Sequence, residues 1–236
     1  MRIPGCKFCV PVLAMSLISC VSPGTSTYRY QEPTSMVTPK NEVVVNKNFS
    51  DTWDGLIGEL AKSFFVINNV EKASRIINVS FATDKPEGYV DCGTTDRTLD
   101  FDDAITTYKY PLASTSSYKH ASAWGPYGNL PVVSSVNRKM SLEGRINIYV
   151  APKGDDMTAV TVNVRYILVG RVSGQADLMN AFGKTVQHQM IPESQSSISF
   201  NTGQAETANW NGDAQIPIKC QGTGKLESEV IKLVTK

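Results

Sequence analysis

Residues 145–170, RINIYVAPKGDDMTAVTVNVRYILVG, alternate apolar and polar side chains on both sides of a proline- and glycine-bearing turn. Ile146, Ile148 and Val150 share one face of the first arm; Val160, Val162, Val164, Tyr166 and Leu168 share one face of the second. Successive residues of a strand point to opposite faces, so this pattern predicts a β-hairpin that turns at Pro152-Lys153-Gly154-Asp155. The intervening Asn147, Thr161, Asn163 and Arg165 are polar, which predicts a sheet with one solvated and one covered face. Some other part of the chain must supply the cover.

Two segments have the periodicity to do so. In NFSDTWDGLIGELAKSFF, Trp53, Leu56, Ile57, Leu60, Ala61 and Phe64 fall on one stripe of a helix, with Ser50 as the expected N-cap. Asp51 and Asp54 are expected in its first turn and Lys62 in its last, where each sign of charge suits the helix dipole. Leu226, Val230, Leu233 and Val234 make a similar stripe in the closing segment, TGKLESEVIKLVTK. Short strands are expected at 42–47, 65–70, 75–82 (with Ile77, Val79 and Phe81 on one face) and 197–202. The polar, Gly- and Gln-rich stretch after residue 170 reads as a connection, and residues 93–139, rich in Ser, Thr, Pro and Gly, read as a long aromatic-rich loop, with irregular strand pairing in parts of it as the alternative. These elements predict a single α+β domain over 42–236, a curved antiparallel sheet packed on a helix in its N-terminal half and a C-terminal helix.

A hydrophobic fraction of 41% over 236 residues is enough for a real core. Of 23 basic side chains, Arg2 and Lys7 fall in the first twenty residues, against 22 acidic ones in all, so the rest of the chain is nearly neutral. That balance argues against nucleic acid as a partner. Clusters of Asp, Asn and Gly with calcium-loop spacing are absent from the sequence.

The N-terminus places Arg2 and Lys7 before the uncharged run 8–19, FCVPVLAMSLIS, a length that suits a signal peptide and is too short to span a bilayer. The four residues LISC at 17–20 resemble the bacterial lipobox. The resemblance implies cleavage before Cys20, acylation of its thiol and new amine, and permanent attachment to a membrane surface, since stable anchoring takes more than one acyl chain. Val21 stands where an aspartate would retain a lipoprotein in the inner membrane, so the resemblance implies the outer membrane, with the domain facing the periplasm. Residues 20–41, rich in Ser, Thr and Pro, read as a flexible linker with an end-to-end distance of roughly 25 Å. Outside the leader and Cys20 the cysteines are Cys92 and Cys220, each at a strand end before a glycine turn. In an oxidising compartment they are expected to pair; two buried thiols, or ligands of a metal, are the alternatives.

The order of elements, with the tryptophan-led WDGLIGELAKSFFVIN and the closing IKCQGTGKLESEVIKLV, resembles the helix-grip domains of envelope lipoproteins related to BamC of the outer-membrane β-barrel assembly machinery. The residues themselves point to no cofactor and no catalytic set. GTGKLES at 222–228 lacks the spacing of a phosphate loop, having Lys219 and Leu226 where that motif has Gly and Ser or Thr. DFDDAI at 100–105 is a carboxylate run that reads either as a site or as a solvated turn, and His120 and His188 stand apart in polar surroundings. Tyr108, Tyr110, Tyr118, Trp124 and Tyr127 are the candidate partner-binding side chains, with burial in a small satellite core as the competing reading. The expected function is that of a non-catalytic, membrane-anchored component that binds other envelope proteins in a multiprotein complex. The alternatives are a carrier of lipid or another small ligand, with a cavity between sheet and helix, and a hydrolase using one of the two histidines.

Overall fold

The computed structural model describes residues 24–122, 130–180, 183–210 and 216–236. The expected leader (1–19), Cys20, Trp124 and Tyr127 lie outside them. In chain order the first elements are β1 (Thr25–Gln31), β2 (Glu42–Val45), α1 (Phe49–Ala61), β3 (Val66–Glu71), β4 (Ile76–Thr83) and β5 (Val90–Asp91). Then come β6 (Thr94–Phe101), β7 (Ala104–Pro111), β8 (Ser116–Ser122), β9 (Val132–Pro152) and β10 (Thr158–Met179). The chain continues through β11 (Thr185–Asn201), β12 (Ala205–Asn209), β13 (Pro217–Gly222) and α2 (Lys225–Val234).

The hairpin of β9 and β10 is the spine. The two strands pair antiparallel from Pro152 opposite Thr158 to Val132 opposite Leu178, well beyond the stretch whose alternation is aliphatic. Their turn is closed by Lys153 N donating to Met157 O at 2.8 Å. Ile146, Ile148, Val150, Val160, Val162, Val164, Tyr166 and Leu168 all face inward, none more than 1% exposed. Burying a side chain of this size contributes about 1.5 to 3 kcal/mol, so this face dominates the core. β11 and β2 pair with successive parts of the free edge of β10, while β4 and β8 share the free edge of β9, with β3 beyond β4.

At the turn end of the spine the inner face is covered by Trp53, Leu56 and Leu60 of α1 and by Leu226, Val230 and Val234 of α2. α1 is capped by Asn48, whose side chain accepts from Asp51 N at 2.9 Å, so the expected cap Ser50 falls within the first turn. Further along, the Trp210 indole lies against Gly170, where a Cβ would come within van der Waals overlap of the ring. The Glu227 carboxyl, fully buried at the start of α2, accepts from Tyr166 Oη at 2.7 Å and from Thr202 Oγ1 at 2.8 Å. This ties α2 to β10 and to the end of β11. The Cys92–Cys220 disulfide, with both residues buried, joins the end of β5 to β13.

The structure corrects the α+β expectation. Among the described residues strands hold 61% and helical segments 13%, with two α-helices, so this is a β-rich fold rather than a balanced α+β plan. The reason lies in the tracts read as loop, connection and linker. Within 93–139, β6, β7, β8 and the start of β9 are regular strands. The buried face of β6 is Thr95, Arg97 and Leu99, an alternation that hydrophobicity alone does not reveal. The polar connection after residue 170 is the far half of β10 and the near half of β11, paired in a long ladder whose inner face buries a sparse apolar set, Val172, Ala176, Leu178 and Met179. Within 20–41, β1 pairs with β6 from Thr25–Asp100 to Gln31–Thr94, and β7 completes a three-stranded sheet. Tyr30 Oη accepts from Lys219 N at 3.0 Å, Val37 N donates to Gln221 Oε1 at 3.3 Å, and Asn41 O accepts from Val162 N at 2.8 Å. The described part of this segment is fastened to the domain and does not act as a free tether.

The Cys92–Cys220 bridge closes a sequence separation of 128 residues. Replacing both cysteines by alanine is expected to lower the unfolding free energy by about 2 to 5 kcal/mol, seen as a fall in the urea midpoint. Burial, and then the Glu227 carboxyl, hold the Tyr166 phenol well above its ordinary value. An unfolded chain ionises this phenol near pH 10 while the folded chain keeps it neutral, so its contribution is intact below about pH 10 and is lost as the pH rises further. Tyr166→Phe is expected to cost about 1 to 3 kcal/mol at neutral pH by leaving one Glu227 oxygen without its donor. It should also make the alkaline loss of stability shallower, which urea titrations at about pH 8 and pH 11 will read.

Candidate binding surface

The described part of the expected aromatic surface, Tyr108, Tyr110 and Tyr118, is largely interior. Tyr110 and Tyr118 are 8% and 3% exposed and stack with ring centroids 6.1 Å apart, and Tyr108 is half-buried against Tyr118. Two buried arginines share their layer. The Arg97 guanidinium lies 4.3 Å from the centroids of both Tyr28 and Tyr118, and its Nε donates to Tyr110 Oη at 3.0 Å. Arg138 donates from Nη1 to Ser116 Oγ at 3.1 Å and from Nη2 to Leu112 O at 2.9 Å. Cation–π contacts of desolvated guanidinium groups contribute about 2 kcal/mol, so Tyr108, Tyr110 and Tyr118 help hold the β1–β6–β7 sheet onto β8 and β9. They do not offer a recognition surface.

The other candidates separate cleanly. In the run DFDDAI, Asp102 and Asp103 both have positive φ and link Phe101 to its partner Ala104, a tight hairpin turn. Among the described residues no group of three or more His, Cys, Asp and Glu is placed to hold a metal. The GTGKLES segment is a helix start, with Gly224 in the left-handed conformation before α2. His188 on β11 faces Asp177 on β10, Nδ1 to Oδ1 2.7 Å, and Gln175 Nε2 donates to the same oxygen at 2.8 Å. The bonds from Gln175 and His188 hold the Asp177 carboxyl below the usual range. His120 lies on β8, separated from β11 by β9 and β10, and its pKa is lowered by burial and by Arg97. The two histidines therefore do not meet. The interior between sheet and helices, where a ligand cavity was the alternative, is filled by Trp53, Leu56, Leu60, Ile148, Val160 and Leu226.

What the solvated face of the sheet does offer is a groove of about 860 Å³ across β3, β4, β9 and β10. Its lining follows from register. Val66 pairs with Ser80, Ala82 with Glu143 and Ser141 with Val169, and these side chains point away from the core while Phe81 and Leu142 lie beneath. Ser80, Ala82 and Ser141 are small, which leaves the trough, and Phe64 stands over one end of it. The Phe64 ring is 56% exposed yet braced, 4.5 Å from the Phe65 ring centroid and 5.5 Å from that of Phe81. Val66 beside it is 61% exposed. The polar rim is Asp84 and Glu143, the latter accepting from Arg145 Nε at 2.7 Å.

Phe64 was expected on the buried stripe of α1, but the helix ends at Ala61. Phe65 turns inward and its neighbour is left outside. The signal available in the sequence was the FF pair itself: at a helix-to-strand junction two adjacent rings cannot both reach the same core. Ala82, Ser141 and Val169 carried no signal, because which outward residues form one trough depends on strand neighbours distant in the chain. No known protein family, no curated protein and no solved structure matches this chain.

Proposed function

We propose that this chain is a non-catalytic lipoprotein of the outer membrane, anchored through acylated Cys20 and facing the periplasm, that binds another envelope protein along the solvated face of its long sheet. In this reading it is an accessory component of an assembly or secretion machine. The observation that carries the reading is the braced, exposed Phe64 at the end of a groove floored by small side chains. A rigid aromatic ring already held in place loses little conformational freedom when a partner covers it, and such rings dominate the energetics of protein interfaces. The LISC sequence and the near-neutral charge support the anchor and the choice of a protein partner.

The test is a photo-crosslinking amino acid placed in living cells at Ala82 in the groove and, separately, at the exposed Lys232 of α2. A defined envelope protein is expected to crosslink at position 82 and not at position 232. Phe64→Asp in the same chain is expected to weaken that adduct at least tenfold, while the unfolding free energy read by urea falls by no more than about 1 kcal/mol. No adduct at position 82, or the same adducts from both positions, overturns the proposal.

A further inference from the structure

β1 is the element nearest in sequence to Cys20, and its start is pinned. A Cβ on Gly24 would lie 2.7 Å from Phe101 Cδ2 and 3.0 Å from Ala121 Cβ, so the backbone there is pressed between the β6–β7 hairpin and β8. Ser26 Oγ accepts from Ala121 N at 2.8 Å, and Thr25 pairs with Asp100, which in turn pairs with Ile105. The chain from Cys20 to Gly24 is four residues long, and a fully extended segment of that length reaches about 14 Å. Whatever holds Cys20 therefore lies close to this end of the molecule.

That end carries Ile105, which at 74% is the most exposed of the large hydrophobic side chains described. It sits in the same cross-strand row as Thr25, two positions after the turn residue Asp103. We infer that the tip of the β6–β7 hairpin rests on the lipid surface that holds Cys20, with Ile105 seated at its interface. The inference rests on the reading of Cys20 as an acylated anchor. Two observations select a lipid surface as the occupant: the short reach from Cys20, and an isolated apolar side chain in the row where the pinned chain emerges. Asp100, Asp102 and Asp103 around the tip select headgroups without net negative charge, because an anionic surface would repel them. The β9–β10 turn lies at the opposite pole. From Val133, whose row includes Ala121, to Ala151 the strand contour is roughly 60 Å.

In the mature chain so read, Cys20 is acylated and Cys92 and Cys220 are bonded to each other, which leaves no free thiol to compete with an introduced one. Ile105→Cys and, as the distal control, Met157→Cys are labelled with a fluorophore in the full lipidated protein. Each is reconstituted into phosphatidylcholine vesicles carrying a spin label on the headgroup, and the N-terminal fragment is weighed to count its acyl chains. Quenching at position 105 at least threefold stronger than at position 157 is expected, and it should fall when phosphatidylglycerol replaces half of the lipid. An acylated chain with equal quenching at the two positions overturns this inference and leaves the anchored reading standing. A chain without acyl groups overturns both. Shielding of position 105 from a soluble quencher without quenching by the lipid label would mean that a second copy of the chain covers the tip, and it also overturns the inference.

Discussion

A slip of one residue between β9 and β10 would turn Ile146, Ile148, Val162 and Val164 toward water and bring Asn147, Asn163 and Arg165 into the core. Every other element depends on that register. β2 and β11 pair with the outer edge of β10, β4 and β8 with the outer edge of β9, and both helices pack on the face that the register makes apolar. The buried Glu227 sharpens the specification, since its carboxyl meets its donors only where Tyr166 points inward and Thr202 closes the end of β11. A polar group of this kind makes alternative packings costly, because each would strand a buried carboxyl.

This dependence also explains how far the structure is legible from residue types. The central part of the hairpin, α1, α2 and the short strand β4 carry their alternation or helical stripe in aliphatic and aromatic residues, and they stand where that pattern puts them. The β1–β6–β7 sheet does not, because apart from Leu99 its inner face is built from Thr95, Arg97, Tyr28 and Tyr110 among serines and threonines. An arginine between two tyrosine rings is an interior solution that hydropathy counts as surface. The same blindness applies to the groove. Each of its residues is an unremarkable outward position on its own strand, and it becomes a trough only when four strands lie side by side.

The two ends of the long sheet are built on different principles. At the β9–β10 turn, helices cover an aliphatic face, and the packing is of the ordinary kind in which volume decides. At the other end, a small sheet is held by rings, guanidinium groups and their hydrogen bonds, including Arg138 reaching Leu112 O and Ser116 Oγ. Contacts of this second kind are directional. They fix how the β1–β6–β7 sheet is seated on β8 and β9, and with it the position of the chain where it enters the domain.

That entry point has a mechanical side. A load drawn through Gly24 along β1, and resisted at the groove or the helical end, acts parallel to the strand. The seven β1–β6 residue pairs from Thr25–Asp100 to Gln31–Thr94 lie across that direction. They are strained together in shear instead of being peeled open one after another, so a pull on the chain where it enters at Gly24 meets the whole ladder at once.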